Sequence, residues 1–208
     1  MANRWVAEKA SASPNASFLA NGGFTTTLFG KKIGGTFGIN YNRANNFYNN
    51  PNQLPIPDIT TGKFTNEYEF GDNIYDQTIS AGALGSLSIQ LNSLNKISLK
   101  SLVNINTINR VLEREGKNIT RIDSLLRGTE FNFRENVFFT GQVSGEHGLT
   151  KGLKLKWYGA FNILDGYIPD QRRILYSRIA PSDPYKLVIS NSLSQQSGSR
   201  IYQSLSDP

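Results

Sequence analysis

Three groups of side chains in this sequence have the chemical types that catalysis or ligand binding requires. The first is the only histidine, His147, which directly follows Glu146. A metal site or an acid–base pair needs several partners on one side of the backbone, whereas neighbouring residues on a strand point to opposite faces. We therefore interpret His147 as a polar residue near a turn, and not as a catalytic or metal-binding residue.

The second group consists of four carboxylates in a short segment, namely Glu67, Glu69, Asp72 and Asp76. Closely spaced carboxylates can bind a cation, but a calcium loop also needs a glycine at a fixed position among its ligands. That periodicity is missing here. We interpret the four carboxylates as part of a solvated loop.

The third group is the segment PDQRR, in which Asp170 stands close to Arg172 and Arg173. Such a cluster could bind an anionic substrate, because a guanidinium group pairs well with carboxylates and phosphates. A structural ion pair is the interpretation that we prefer.

No other pattern in the chain indicates catalysis. We find no nucleophile with a base and an orienting partner, no glycine loop for phosphate and no zinc-ligand spacing, and the chain has no cysteine. The sequence predicts a non-enzymatic protein with no catalytic, cofactor-binding or metal-binding residues and no cofactor, and it leaves the ligand-binding residues undefined. The net charge of +6 is scattered over turns and loops, so we expect no nucleic-acid partner.

The secondary structure that carries these side chains is indicated most clearly by the segment 131–164. Apolar and polar residues alternate along its first arm, and the second arm repeats this alternation after the short turn GLTKG. A period of two predicts β-strands that have one apolar and one polar face. We therefore expect an antiparallel hairpin that places the following residues on one face: Phe133, Val137, Phe139, Trp157 and Phe161.

The same alternation occurs twice more, which predicts three hairpins at about residues 17–42, 78–109 and 131–164. Longer connections at about residues 43–77, at 110–130 and after residue 164 separate or follow them. Abundant Gly, Asn, Ser, Thr and aromatic residues, without amphipathic helical windows, favour an all-β chain. The predicted fold is an antiparallel up-and-down meander of about six long strands with alternating short turns and long loops.

Alternating short and long connections are typical of outer-membrane β-barrels, in which periplasmic turns are tight and extracellular loops are extended. We expect no transmembrane helix, because no apolar run of about 18 residues is present. We also expect no signal peptide, since the N-terminal segment has no apolar core. Six strands are fewer than the eight of a closed membrane barrel, so the chain is expected to be part of a larger one. Lysines near the short turns fit a solvated periplasmic rim: Lys31, Lys32, Lys96, Lys151, Lys154 and Lys156.

Four segments of the chain resemble the β-barrel portion of TonB-dependent outer-membrane receptors, in particular the group in which a carboxypeptidase-regulatory-like domain precedes the plug. They are LFGKKIG with GINY, GALGSLSIQLNSLNKISLKSLVNINTIN, REGKNITRIDSLLRGTEFNFRENVFFTGQVSGEHGL, and LKWYGAFNILDGYIPDQRRILY. The pieces RENVFFTGQVSGEH and PDQRRILY are the most specific. The resemblance extends over nearly the whole chain.

The resemblance implies one segment of a transmembrane barrel of about twenty-two strands, without the plug domain and the signal peptide of such receptors. It implies the cell outer membrane as the location, and a part in energy-coupled uptake of a large substrate such as an iron chelate or another nutrient. The implied partners are the lipid bilayer with its lipopolysaccharide, the remainder of the receptor, a TonB-type energy-coupling protein acting through the plug, and an unknown extracellular substrate. The chain would supply barrel wall and extracellular loops.

Two alternatives stay open at this point. One is a soluble β-sheet binding or adhesin-like module that uses aromatic residues of the long connections, and it would bury the apolar faces as an ordinary core. The other is a passive porin formed by self-association. The shape of the sheet separates the soluble module from a barrel wall, because a wall has one uncovered apolar band and a soluble module encloses a core.

Overall fold

A computed structural model describes residues 5–118, 124–150, 152–189 and 197–207. This part of the chain forms eight strands: β1 (Ala16–Leu28), β2 (Lys31–Pro57), β3 (Phe64–Gln90), β4 (Asn95–Asn118), β5 (Ser124–Thr150), β6 (Leu153–Arg178), β7 (Lys186–Leu187) and β8 (Ser199–Asp207). Strands β2 to β6 have 24 to 27 residues each, whereas an ordinary strand has about five or six. In the described residues, no helix has the length and apolar character needed to cross a membrane.

All eight strands belong to one antiparallel sheet. The order in the sheet follows the chain from β1 to β7, and β8 pairs with β6 next to β7. Each long strand therefore pairs with its neighbours in sequence. The predicted all-β fold and the antiparallel up-and-down meander are confirmed.

The pairing register assigns the residues of the long strands to two faces, because directly opposed residues share a face. Through this register the five residues that we predicted to lie together do share one face: Phe133, Val137, Phe139, Trp157 and Phe161. We call it the apolar face, and we call the opposite side of the sheet the polar face.

The prediction of long loops is wrong for the first two long connections. Residues 43–57 and 64–77 extend β2 and β3, and residues 110–118 and 124–130 extend β4 and β5. Both faces of these extensions are largely polar, so the apolar alternation that indicates a strand is absent there. The strands nevertheless continue, because the backbone ladder is independent of side-chain polarity and polar side chains pair across it.

The long strands thus have two halves, which differ in composition. The turn-proximal half comprises residues 16–42, 78–106 and 136–163, and the distal half comprises the described residues of 43–77, 107–135 and 164–178.

Prolines account for part of the wrong loop assignment. Pro51, Pro55 and Pro57 all lie in the distal part of β2. Since β1 begins opposite Arg43, this part of β2 pairs only with β3 and forms an edge of the sheet. An edge strand tolerates proline, because its missing N–H can lie on the unpaired side.

The sixth strand contains a β-bulge around Pro169. It has one residue more than β5 between Tyr167 and Arg172, and one residue more than β8 between Ile168 and Gln171. The bulge interrupts the alternation of faces. It also lies where the C-terminal residues 199–207, which the sequence did not indicate as a strand, add β8 to the sheet.

Buried apolar side chains form one small cluster, in the distal half. Phe70, Leu126 and Leu175 are at most 7% exposed, and Tyr68 and Val188 pack against them. In the turn-proximal half, none of the described apolar side chains is buried to this degree. The sheet therefore has no second layer that would enclose a conventional core over that half.

Candidate functional site

His147 lies on the apolar face near the short turns, where it links three strands. The indole Nε1 of Trp157 donates to His147 Nε2 at 3.0 Å, and His147 Nδ1 lies 2.7 Å from Asn95 Oδ1. Because Nε2 accepts a hydrogen bond, the ring proton is on Nδ1, which donates to Asn95. Glu146 lies on the polar face and pairs with Lys156 at 3.4 Å. His147 therefore holds β4, β5 and β6 together and forms no acid–base pair with its neighbour.

Two of the four clustered carboxylates form bidentate ion pairs with arginines of β4. Arg114 donates from Nε and Nη2 to Asp72 at 2.7 Å each, and Arg110 donates to Asp76 at 2.7 and 2.6 Å. Asp72 is 2% and Asp76 is 8% exposed. The interpretation of these carboxylates as part of a solvated loop is therefore wrong.

Both arginines belong to the distal half, beyond the apolar residues of the turn-proximal half. The hydrogen bonds to Asp72 and Asp76 are the main reason why the pKa of each guanidinium is raised above its usual value, against the opposing effect of burial. The spacing of these residues in the sequence could have indicated the two pairs. The two aspartates are four residues apart, and so are the two arginines. Antiparallel strands pair such positions in reverse order.

A third arginine–carboxylate pair lies on the polar face between β5 and β6, and here both arginine nitrogens donate to the same carboxylate oxygen. Arg173 donates to Glu130 Oε2 from Nε at 2.8 Å and from Nη2 at 2.5 Å, and Gln171 donates to Glu130 Oε1 at 2.9 Å. Asp170 instead pairs with Arg172 at 3.2 Å and with Arg200 at 2.8 Å. The structural ion pair that we preferred for Asp170 and Arg172 is present, while the bulge directs Arg173 to a different partner.

The turn-proximal half carries a continuous apolar band on the apolar face, and nothing in the described chain covers it. The band extends, for example, from Ile33 to Tyr41 on β2 and from Leu155 to Ile163 on β6. Phe37 is 55% exposed. Its large members are Phe18, Phe24, Leu28, Ile33, Phe37, Ile39, Tyr41, Ile79, Leu87, Ile89, Ile97, Leu99, Val103, Ile105, Val137, Phe139, Val143, Leu155, Trp157, Phe161 and Ile163.

No charged residue interrupts this band. The positions between its large members are occupied by Gly, Ala, Ser or Thr, and polar or charged residues first appear at its borders. The border residues are Lys31, Asn95 and His147 toward the short turns, and Arg43, Gln77, Thr107, Glu135 and Asp165 toward the distal half. Eight residue steps along a strand span roughly 27 Å. At the strand tilt of about 40° in outer-membrane barrels this corresponds to an apolar height of roughly 20 Å, somewhat less than the usual height of about 25 Å.

Aromatic rings fill the gaps that glycines leave in the band. Gly35 pairs with Phe24 and Gly22 with Phe37 on the neighbouring strand. A Cβ atom at Gly35 would lie 2.6 Å from the ring of Phe24, and one at Gly22 would lie 2.8 Å from the ring of Phe37. The rings therefore lie flat across the strand pair, and this gives the band a closed apolar surface.

The polar face of the same half carries hydroxyl, amide and ammonium groups. A hollow of about 440 Å³ lies at its rim beside the short turns, and it is lined by Lys32, Lys96 and Lys154 together with Ser88, Gln90 and Glu146. Lys151 lies outside the described residues. In the part of the chain that the structure describes, no three histidine, aspartate or glutamate side chains are grouped so that they could hold a metal ion.

Comparisons of the chain with protein-family models, with curated proteins and with solved structures give no match. The surfaces themselves must therefore indicate the function. They are the apolar band, the ion-paired distal half and the lysine-lined rim.

Proposed function

We propose that this chain is a section of the wall of a transmembrane β-barrel. In this proposal the apolar band faces the hydrocarbon of the bilayer, and the polar face lines the interior of the barrel. The observation that carries the proposal is the charge-free band, exposed on one face of a single sheet across six strands. Its length per strand agrees with the roughly nine to eleven residues of a tilted transmembrane strand.

The lack of a covering layer supports a lipid bilayer, and not water, as the medium around the apolar band. Soluble proteins rarely expose contiguous apolar patches larger than a few hundred Å², and here large apolar side chains are exposed on all six strands of the band. A soluble binding module would bury them against a second sheet or a helix. The described residues contain neither.

The free edges of the sheet support the proposal that the chain forms only part of a larger barrel. Within the described residues, β1 pairs on one side only, and residues 153–163 of β6 pair only with β5. An unpaired backbone group in lipid costs several kcal/mol, so spanning sheets close on themselves. We infer that further strands continue the sheet at both edges.

The particular barrel that we propose is that of a TonB-dependent outer-membrane receptor. The support is the resemblance of the four segments given above, together with the proposed membrane orientation. The chain would then lie in the cell outer membrane and contact phospholipid and lipopolysaccharide. It would surround a plug that couples to a TonB-type protein, and it would take part in uptake of a large extracellular substrate without catalysing a reaction.

A paired single-cysteine scan tests the barrel orientation. The chain has no cysteine, so each introduced thiol is unique. Neighbouring positions serve as matched controls: Ile39→Cys with Asn40→Cys, Val103→Cys with Asn104→Cys, and Phe161→Cys with Asn162→Cys. In vesicles, a bimane label on the first member of each pair should be quenched by brominated lipid, and a label on the second should not.

Equal quenching within the pairs would contradict the barrel orientation. So would a chain that is monodisperse without detergent and that protects both labels from water, since this is the behaviour of a soluble module. The receptor assignment has a separate test in the coding sequence on either side of the chain. A plug-encoding segment upstream would support it, and a complete gene without such a segment would contradict it while leaving the barrel orientation untouched.

A further inference from the structure

The turn-proximal rim of the polar face has an unusual row of lysines. Lys32, Gln90, Lys96, Glu146 and Lys156 are directly opposed residues on five consecutive strands, from β2 to β6. They therefore form one row across the sheet, next to the short turns. Two more lysines lie on the same face of this half, and together we call the following lysines the basic rim: Lys32, Lys96, Lys100, Lys154 and Lys156.

The basic rim is not neutralised by the described part of the chain. Among the described residues of the turn-proximal half, Glu146 is the only acidic residue on this face, and it pairs with Lys156 at 3.4 Å. Within the described residues, no other member of the basic rim has a carboxylate at ion-pair distance. The distal half differs, because Asp72, Asp76 and Glu130 each have a matched arginine.

The position of the basic rim argues against lipid head groups as its counterpart. The five lysines lie on the face opposite the apolar band, and so they point away from the proposed bilayer. Lys31 is the lysine at this end of β2 that lies on the apolar face, and its Nζ donates to the carbonyl of Leu91 at 2.5 Å. A lipid surface would need lysines on that side of the sheet.

The spacing of the basic rim favours a chain of carboxylates over a single small anion. Neighbouring strands lie about 4.8 Å apart, so Lys32 and Lys96 are separated by roughly 10 Å, as are Lys96 and Lys156. The whole row from Lys32 to Lys156 spans four strand spacings, or roughly 19 Å, so a single phosphate group cannot pair with all of its lysines, whereas an extended segment with several carboxylates can. Ser88 and Gln90 line the hollow between Lys32 and Lys96, and they offer hydrogen bonds to the backbone of an extended segment.

We propose that the basic rim is a docking surface for an acidic polypeptide segment that lies against the polar face. The lysines pair with its carboxylates, and the hollow receives part of its backbone. The exclusion of lipid head groups rests on the proposed orientation of the apolar band. Binding of an acidic segment to the polar face can be measured on the folded chain in detergent, so this inference and the barrel orientation can fail separately.

Binding of fluorescein-labelled hexaglutamate to the chain in non-ionic detergent, measured by fluorescence anisotropy, tests the proposal. The triple variant Lys32→Gln, Lys96→Gln, Lys154→Gln should weaken binding by about tenfold or more, because each lost charge contributes modestly at an exposed site. The matched control is Lys9→Gln, Lys63→Gln, Lys186→Gln, which changes the net charge equally away from the rim. It should weaken binding by less than about twofold, since distant charges are screened.

The corresponding triple Lys→Arg variant keeps the charge and should bind like the unaltered chain. It shows that positive charge at these positions is sufficient for binding, and circular dichroism checks that the glutamine variant is folded. An equal loss in the rim and control triples would overturn the proposal. It would also be overturned if inorganic phosphate competed as strongly as the peptide, or if the rim variant lost binding only to phosphatidylglycerol vesicles and kept hexaglutamate.

Discussion

The two halves of this sheet have the same backbone ladder but are stabilised in different ways. In the turn-proximal half one face carries the charge-free, uncovered apolar band. The other face carries five lysines, of which Lys156 pairs with Glu146 and the other four have no acidic partner among the described residues. In the distal half the polar face carries bidentate ion pairs and a small apolar cluster around Phe70. The three acidic side chains Asp72, Asp76 and Glu130 of the distal half are thus paired within the sheet, whereas the apolar band and four lysines of the other half have no matching partner in the described chain.

This difference indicates the medium in which each half of the sheet is stable. A partly buried ion pair such as Asp72 with Arg114 does not depend on bulk water, because the arginine fork satisfies both carboxylate oxygens. The apolar band needs an apolar medium to be favourable, and the basic rim needs anions. We therefore expect substitutions in the two halves to respond differently to lipid.

The largest effect is expected from a charge within the apolar band. Ala83→Arg places a guanidinium on the apolar face between Ile39 and Val103, where it should cost about 2–4 kcal/mol in a bilayer. The neighbouring control Leu84→Arg lies on the polar face, so it should cost much less. Urea titration of the chain folded in vesicles measures both. Similar losses for the two variants would mean that the band does not face lipid.

Breaking a buried ion pair of the distal half should have the next largest effect. Asp72→Ala leaves Arg114 without its partner, and the expected loss is about 3 kcal/mol, at the lower end of the usual range because the arginine side chain remains 23% exposed. The control Glu115→Ala removes an exposed partner of Arg127 and should cost under about 1 kcal/mol. Denaturant unfolding in detergent compares them, and equal losses would exclude a special role of the buried pair.

A smaller effect is expected where a glycine gives room to an aromatic ring. Gly35→Ala should destabilise the chain by about 1–2 kcal/mol, because the new methyl group would meet Phe24 at 2.6 Å and the carbonyl of Ser86 at 3.1 Å. Gly85→Ala is the matched control on the same face, since nothing lies within 4 Å of its Cβ position. That variant should be neutral or slightly stabilising. The same denaturant titration measures the free energy of unfolding of both variants. An unchanged stability of Gly35→Ala would show that the ring of Phe24 moves aside at no cost.

The smallest effect should be confined to the tip at residues 58–63. The Asp58 carboxylate accepts hydrogen bonds from the Thr61 hydroxyl at 2.6 Å and from the Thr60 N–H at 2.9 Å, and these bonds lower its pKa below the usual 3.8. The ionised carboxylate therefore stabilises the tip above pH 3.8. This stabilisation is lost as the pH falls through the lowered pKa and the carboxylate becomes protonated.

Amide hydrogen exchange measures this effect at Thr60 and Gly62. Asp58→Ala should accelerate exchange at these amides without changing the global unfolding midpoint. In the unaltered chain their protection should be constant above about pH 4 and should decrease at lower pH. Protection that increases on acidification would contradict the assigned role of the carboxylate.

The sequence predicted the face on which a side chain lies wherever apolar and polar residues alternate along a strand. Elsewhere it predicted neither the face nor the partner of a side chain. Phe139 and Trp157 could be assigned to one face from alternation alone, because burial or lipid exposure of one face imposes a period of two. Asp72 and Arg114 could not be recognised as partners in the same way. Their pairing depends on the register between β3 and β4, and hydrophobic alternation is absent at that point.

The all-β class, the antiparallel meander and the apolar side of each hairpin could be predicted from the amino-acid sequence, because they follow from local alternation and short turns. The folded sheet was needed to show that the strands continue far beyond the alternating segments, that carboxylates of an expected loop form buried ion pairs, and that lysines of separate turns form one row. Each of these depends on which residues of distant strands stand opposite one another. Cross-strand register is set by the whole ladder of backbone hydrogen bonds, and no single segment of sequence contains it.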